Sequence, residues 1–284
     1  MKKKFIKDML TAAREGNYAI PHFNFTCFFD LQAIMEAASE MRAPIFVASL
    51  PKVAETYDPI LLRLMVDKMR EKTGCTAILH LDHSKDIELC KRAVNAGYNS
   101  VMIDKSDLSL ENNISEVLRV VDLAKSCECL VEGEIGRIRG RSDEGDFSSE
   151  DYLVSSEDAF TFSVNAGVDL MAVGIGTAHG FYEGKPQINI KRLKEIDAAV
   201  SIPLVLHGGT GIPKEDVRKC IQSGIVKVNV GTIIRYTYLS ALQREITNRG
   251  AQTPPIDLIV PAVTDDVKSI AKDWILTCMA NNRI

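Results

Sequence analysis

The sequence predicts a single-domain (β/α)8 barrel over residues 1–284, with an extra helix at each end of the chain. Three observations carry that expectation. Short strand-like runs alternate with amphipathic stretches from end to end. Eight such runs fit within 284 residues, about the length of one barrel. Most of the runs are continuously apolar, as parallel strands covered on both faces are.

The first strand is Ala19–Phe25, which ends in polar and aromatic residues. Pro44–Ser49, Thr76–Leu81, Asn99–Ile103 and Glu128–Glu134 follow, then Val168–Val173, Ile202–Leu206 and Ile225–Val230. Parallel neighbours require crossover connections, usually helices. Ser109–Lys125 is the clearest of these, with Ile114, Val117, Leu118, Val121 and Ala124 at helical spacing and Ser109 or Asp107 as its cap. Gly74, Gly97, Gly167 and Gly224 each stand shortly before a strand, where a helix exit wants positive φ. A doubly wound open sheet is the alternative. It would bring a glycine fingerprint after the first strand, where this chain has Phe23-Asn-Phe-Thr. No linker, repeat or low-complexity segment divides the chain. Arg137–Tyr152 reads as one long loop. The tail Ala251–Asp266 holds three prolines before a last helix and is expected to wrap the barrel or meet a partner subunit.

Composition narrows the function. The net charge of −4 gives no electrostatic footprint for nucleic acid or an anionic membrane. No segment reads as a signal peptide or a membrane span. The seven cysteines lack framework spacing, so reduced thiols and a cytoplasmic location are expected. Cys127 and Cys129 miss the spacing of zinc ribbons and read as core residues.

His83, His179 and His207 each follow a strand-like run, at the barrel face where catalytic loops gather. Three imidazoles plus an open position describe a catalytic zinc site. Asp82 precedes His83. Neighbouring side chains diverge in an extended segment, so Asp82 reads as a proton-transfer group beside the metal rather than a ligand. Glu132 and Glu134 face the same way from the fifth strand. Glu134 is a further ligand or a hydrogen-bonding partner of one, and Glu132 reads as structural, as do His22 and His80. Glycine-rich turns follow strands six, seven and eight: Gly174–Gly180, His207–Gly211 and Asn229–Thr232. Such turns, with a helix N-terminus, cradle phosphate. The residues alone therefore give a divalent metal that polarises a carbonyl or activates a water, beside a phosphate site.

His80-Leu-Asp-His83, Val131-Glu-Gly-Glu-Ile-Gly136, Gly176-Thr-Ala-His-Gly180, Leu206-His-Gly-Gly-Thr-Gly211 and Lys227-Val-Asn-Val-Gly-Thr232 resemble the class II, zinc-dependent ketose-bisphosphate aldolases. That family includes the fructose- and tagatose-bisphosphate enzymes. The resemblance implies zinc on His83, His179 and His207, with Glu134 touching it in one position, and Asp82 as the proton donor on the aldehyde side. It implies that Gly180, Gly208, Gly209 and Thr210 hold dihydroxyacetone phosphate and a monovalent cation, Na+ or K+. Asn229 and Thr232 would contact the enediolate and the phosphate. Asn24, Ser49 and Arg235 would line the site or reach a distal phosphate. A lid carboxylate is expected at Asp143 or Glu144, because Ser142 stands at the acidic position. Members of the family are homodimers or homotetramers.

Three residues depart from the pattern. Fructose-specific members carry Asp at Gly231, and tagatose-type members a small residue. Ile233 stands where an acid is common, and Lys105 where glycine is usual. The departures imply an atypical substrate pocket that leans away from strict fructose specificity. A non-catalytic sugar-phosphate-binding relative and a zinc hydrolase are the competing expectations.

Overall fold

The structure, a computed structural model, describes residues 1–136, 138, 153–182, 184, 186–250 and 254–284. Eight parallel strands close into a barrel in sequence order, β1 pairing with β8. They are β1 (Ile20–Asn24), β2 (Ile45–Ser49), β3 (Ala77–Ser84), β4 (Ser100–Ile103), β5 (Leu130–Ile135), β6 (Leu170–Val173), β7 (Leu204–Leu206) and β8 (Ile225–Val230). Helix α1 (Lys3–Glu15) precedes them. The crossovers carry α2 (Phe28–Glu40), α3 (Pro51–Tyr57), α4 (Pro59–Thr73), α5 (Ile87–Asn95), α6 (Leu110–Ala124), α7 (Ser156–Asn165), α8 (Ile190–Ala199) and α9 (Lys214–Ile221). Helices α10 (Thr232–Arg249) and α11 (Ile256–Thr277) follow the last strand.

Local chemistry sets the boundaries. Ser109 caps α6 by accepting from the Asn112 amide. Along α6, Val117, Val120 and Ala124 are buried, and so is Asn113, whose amide donates to the Glu134 carbonyl. Gly74, Gly97, Gly167 and Gly224 have φ of 68°, 84°, 65° and 105°. A residue with a Cβ would be strained at each of these helix exits. Pro203 cannot donate to the ladder, so β7 begins only at Leu204. The tail differs from expectation: α11 begins at Ile256, takes Pro261 into its interior, and packs on α2 and α10.

Strand β3 also differs. It continues through His83 to Ser84, three residues beyond its expected end. A register shift against β4 between Leu81 and Ser84 and φ of 48° at His83 mark a bulge there. Below the mouth, the barrel interior is not wholly apolar. His22, His80, Glu132 and Lys227 are all fully buried.

Candidate active site

Strand order brings the three histidines to one mouth. His83 stands on the bulge of β3, His179 in the loop after β6 and His207 directly after β7. Their ligating nitrogens lie within 4.8 Å of one another. The bulge answers the divergence of neighbouring side chains. It breaks the strand's alternation, so Asp82 and His83 both line the same cavity.

Two carboxylates fix two of the rings. Asp104 Oδ2 lies 2.8 Å from His83 Nδ1, and Glu132 Oε1 lies 2.9 Å from His207 Nε2. Each carboxylate accepts an N–H, which leaves lone pairs on His83 Nε2 and His207 Nδ1. Those two nitrogens are 2.8 Å apart. In that tautomer both lone pairs face one point and the donor set fits a divalent metal such as zinc; with the proton on His207 Nδ1 instead, the same contact is a hydrogen bond to His83 Nε2. Burial, reinforced by His83, pushes His207 down to about 4 against the pull of Glu132, so it is neutral at pH 7.

Glu132 does more than its structural reading allowed. Its second oxygen accepts from Lys227 at 2.7 Å, so the chain Lys227–Glu132–His207 runs from the barrel interior to the ligand cluster. Burial opposes ionisation of Glu132, but Lys227 and His207 more than offset it and hold the carboxyl well below its usual range. Glu134 Oε2 lies 3.6 Å from His207 Nδ1 and 3.9 Å from His83 Nδ1, and with His83 and Asp104 it forms an overlapping donor group.

Asp82 lies beside the cluster. Asn24 donates to its Oδ2 at 2.8 Å and Asn229 to its Oδ1 at 3.4 Å. Burial pushes its carboxyl up, but His83, His22 and His207 pull it further down, well below the ordinary range. Asp82 is therefore an ionised, oriented carboxylate.

The cavity at this mouth is lined by Asn24, Asp82, His83, His179, Gly180, Gly208, Gly209, Thr210, Asn229, Gly231, Thr232 and Arg235, all expected from the sequence. Helix α10 starts at Thr232, so the positive end of its dipole faces the cavity. Thr210 Oγ1 accepts from the Ile233 amide and ties the β7 loop to that helix start. Gly208 has φ of 70°, and a Cβ there would come 2.2 Å from the Ala178 carbonyl. The Gly209 amide is already given to the Asn229 carbonyl, so Gly209 serves by close approach rather than by donating to a ligand.

Ser49 does not line the cavity. It is fully buried with its hydroxyl 3.0 Å from the Tyr98 hydroxyl, and its neighbour Leu50 lines the wall instead. Thr26 joins that wall too. Neither Leu50 nor Thr26 carried a signal in the sequence beyond following a strand. Lys105 turns away toward Glu116, 4.0 Å off, and Ile233 packs on the core. Of the three departures, Gly231 alone lines the pocket, which narrows the atypical pocket to one position. Asp143 and Glu144 lie outside the described residues.

The match to known proteins agrees with this site. The family description "Fructose-bisphosphate aldolase class-II" fits residues 4–283. The YdjI aldolase of Escherichia coli K12 is 28% identical, with a TM-score of 0.86 and 98% of each chain covered. A Coccidioides immitis protein, a candidate fructose-1,6-biphosphate aldolase, is 29% identical, with a TM-score of 0.87 over 97% of this chain and 96% of that one. The fructose-bisphosphate aldolase of Campylobacter jejuni shares the fold at 19% identity, with a TM-score of 0.86 over 100% and 97% of the two chains. The chain belongs to the class II fructose-bisphosphate aldolase family and is an aldolase.

Proposed function

We propose that this aldolase is zinc-dependent and reversibly cleaves a ketose 1,6-bisphosphate, of tagatose rather than strictly fructose type. The products are dihydroxyacetone phosphate and an aldehyde such as glyceraldehyde 3-phosphate. The observation behind this is the convergence of His83, His179 and His207 with the ionised Asp82, beside a cavity that the glycine turns and the α10 N-terminus line.

Zinc held by the three histidines supplies the electron sink that carbon–carbon cleavage next to a carbonyl requires, so no Schiff-base lysine is needed. Asp82 removes the C4 hydroxyl proton as the C3–C4 bond breaks. Asn24 and Asn229 hold its carboxylate in line for that transfer. Gly180, Gly208, Thr210 and Thr232 receive the dihydroxyacetone phosphate, with Na+ or K+ beside the same turns. Arg235 meets the distal phosphate. Asp143 or Glu144 returns a proton to C3. Gly231 offers no side chain to read the C4 hydroxyl, which removes a contact that favours fructose. By family resemblance the enzyme is a cytoplasmic homodimer or homotetramer.

The test is a cleavage assay of the zinc-loaded protein on both bisphosphates, with triose phosphate trapped enzymatically. Tagatose bisphosphate should be cleaved at least as well as fructose bisphosphate. Turnover of neither removes both substrates, and a strong fructose preference removes the role given to Gly231.

A further inference from the structure

Beneath the catalytic cluster lie two histidines that the aldol chemistry does not use, and they share Asp82 with it. His22 on β1 and His80 on β3 are fully buried, and both face Asp82. One ligating atom from each of the three falls within 4.8 Å of the others. His22 Nε2 is 3.6 Å from Asp82 Oδ2, and His80 Nε2 is 3.8 Å from Asp82 Oδ1. Both distances are too long for hydrogen bonds. They are close to the roughly 3.3 Å that separates two ligands each about 2.0–2.1 Å from one tetrahedral zinc ion.

The unpaired atoms point the same way. Neither ring nitrogen of His22, nor His80 Nε2, has a hydrogen-bond partner among the described residues. Buried polar atoms are almost always paired, so two unpaired nitrogens facing one carboxylate, His22 Nε2 and His80 Nε2, point to a shared ligand. Ser100 Oγ, 2.9 Å from His80 Nδ1, can accept its N–H and so turn the Nε2 lone pair toward Asp82. The Lys227 ammonium approaches from below, but Glu132 neutralises it at 2.7 Å. Asp82 therefore carries the unbalanced charge.

We propose that His22, His80 and Asp82 form a second divalent-cation site, of zinc-binding character, whose occupation inhibits the enzyme. A cation there binds a carboxylate oxygen of Asp82 directly, so that oxygen is no longer open to the substrate. Excess metal then silences the base while the first cluster stays loaded. The binding claim stands on the geometry alone. The inhibition rests on the role proposed for Asp82, and the two are read separately.

The test titrates the chelator-stripped full-length protein with Zn2+ by calorimetry, and with Co2+ by visible absorption. Wild type should take up two equivalents, the second more weakly, because the two cations repel. His22→Gln and His80→Gln, on different strands, should each keep the first equivalent and weaken the second at least ~10-fold. Circular dichroism of the metal-free variants reports folding. Cleavage activity, normalised within each variant to its value at one equivalent, should fall with rising free zinc in wild type but not in His22→Gln.

A single equivalent in wild type means that only water occupies the place, and overturns the site. A second equivalent that survives both substitutions places it elsewhere, for instance at His83, Asp104 and Glu134, and overturns it too. Two equivalents without zinc inhibition keep the site and refute the part that depends on Asp82.

Discussion

Gly231→Ala is expected to damage catalysis through Asn24 rather than through the substrate. Gly231 has φ of −117°, so alanine is not strained there. The difficulty is space. A Cβ at 231 would come 2.5 Å from Asn24 Oδ1. Asn24 must then retreat by roughly 1 Å to reach ordinary van der Waals contact. Its 2.8 Å bond to Asp82 would lengthen beyond hydrogen-bonding range. A hydrogen bond to a charged group contributes about 1.5–3 kcal/mol. At about 1.4 kcal/mol per tenfold, its loss lowers kcat/KM by roughly 10–150-fold. Water entering the open cavity replaces part of the bond, so the lower end is expected.

The assay is a double-mutant cycle on kcat/KM for bisphosphate cleavage. Asn24→Ala should cost about as much as Gly231→Ala. The double variant should be no worse than Asn24→Ala alone, because the Cβ then has nothing to displace. Additive losses would refute the reasoning and place Gly231 in direct contact with substrate. Gly231→Asp, the fructose-type residue, should fail to confer fructose preference unless Asn24 is also shortened.

Asp82→Ala should abolish cleavage while metal analysis still finds one zinc per chain, and retained cleavage would remove the base assignment. His207→Ala should instead lose the metal, as elemental analysis after dialysis would show. Glu132→Gln leaves Lys227 buried and uncompensated, which should lower unfolding stability by about 3–5 kcal/mol in urea titration. The double variant Glu132→Leu with Lys227→Met should recover most of that loss yet bind zinc more weakly, since His207 Nε2 has lost its carboxylate.

Much of the fold could be read from the chain, and physics explains why. Parallel strands covered on both faces show as apolar runs, and positive-φ helix exits show as glycines. The strand ends were hidden. A bulge at His83 depends on backbone strain in a residue with a Cβ, and no local signal announces it. Ser49 and Leu50 show how much one residue matters where a strand stops, because adjacent side chains face opposite ways. The meeting of His83, His179, His207 and Asp82 at one mouth was legible because histidine and aspartate are conspicuous at apolar strand ends. Lys105 and Ile233 were misleading for the converse reason: sequence places them beside the site but says nothing of which way they point. The Lys227–Glu132 pair joins β8 to β5 across the barrel, strands that are not neighbours. Its trace in the sequence is Lys227 within the β8 run and Glu132, two residues before Glu134, within the β5 run.

The two carboxylates behind the ligands are not equivalent. Both orient an imidazole, but Lys227 cancels the charge of Glu132, whereas Asp104 accepts from neutral Ser106 and faces His83. A divalent cation at the cluster therefore feels net negative charge from the β4 side and orientation alone from the β5 side. Asp82 adds a second unbalanced charge. Glu134, 3.6 Å from His207 Nδ1, brings a further carboxyl to the same three imidazoles, so a doubly positive ion would be drawn to this mouth. Asp104 and His207 are buried and are not part of the cavity lining, so water screens them least. Cation capture at this mouth, as proposed, would draw on the carboxylates gathered there, while the Lys227–Glu132 pair below fixes where His207 points.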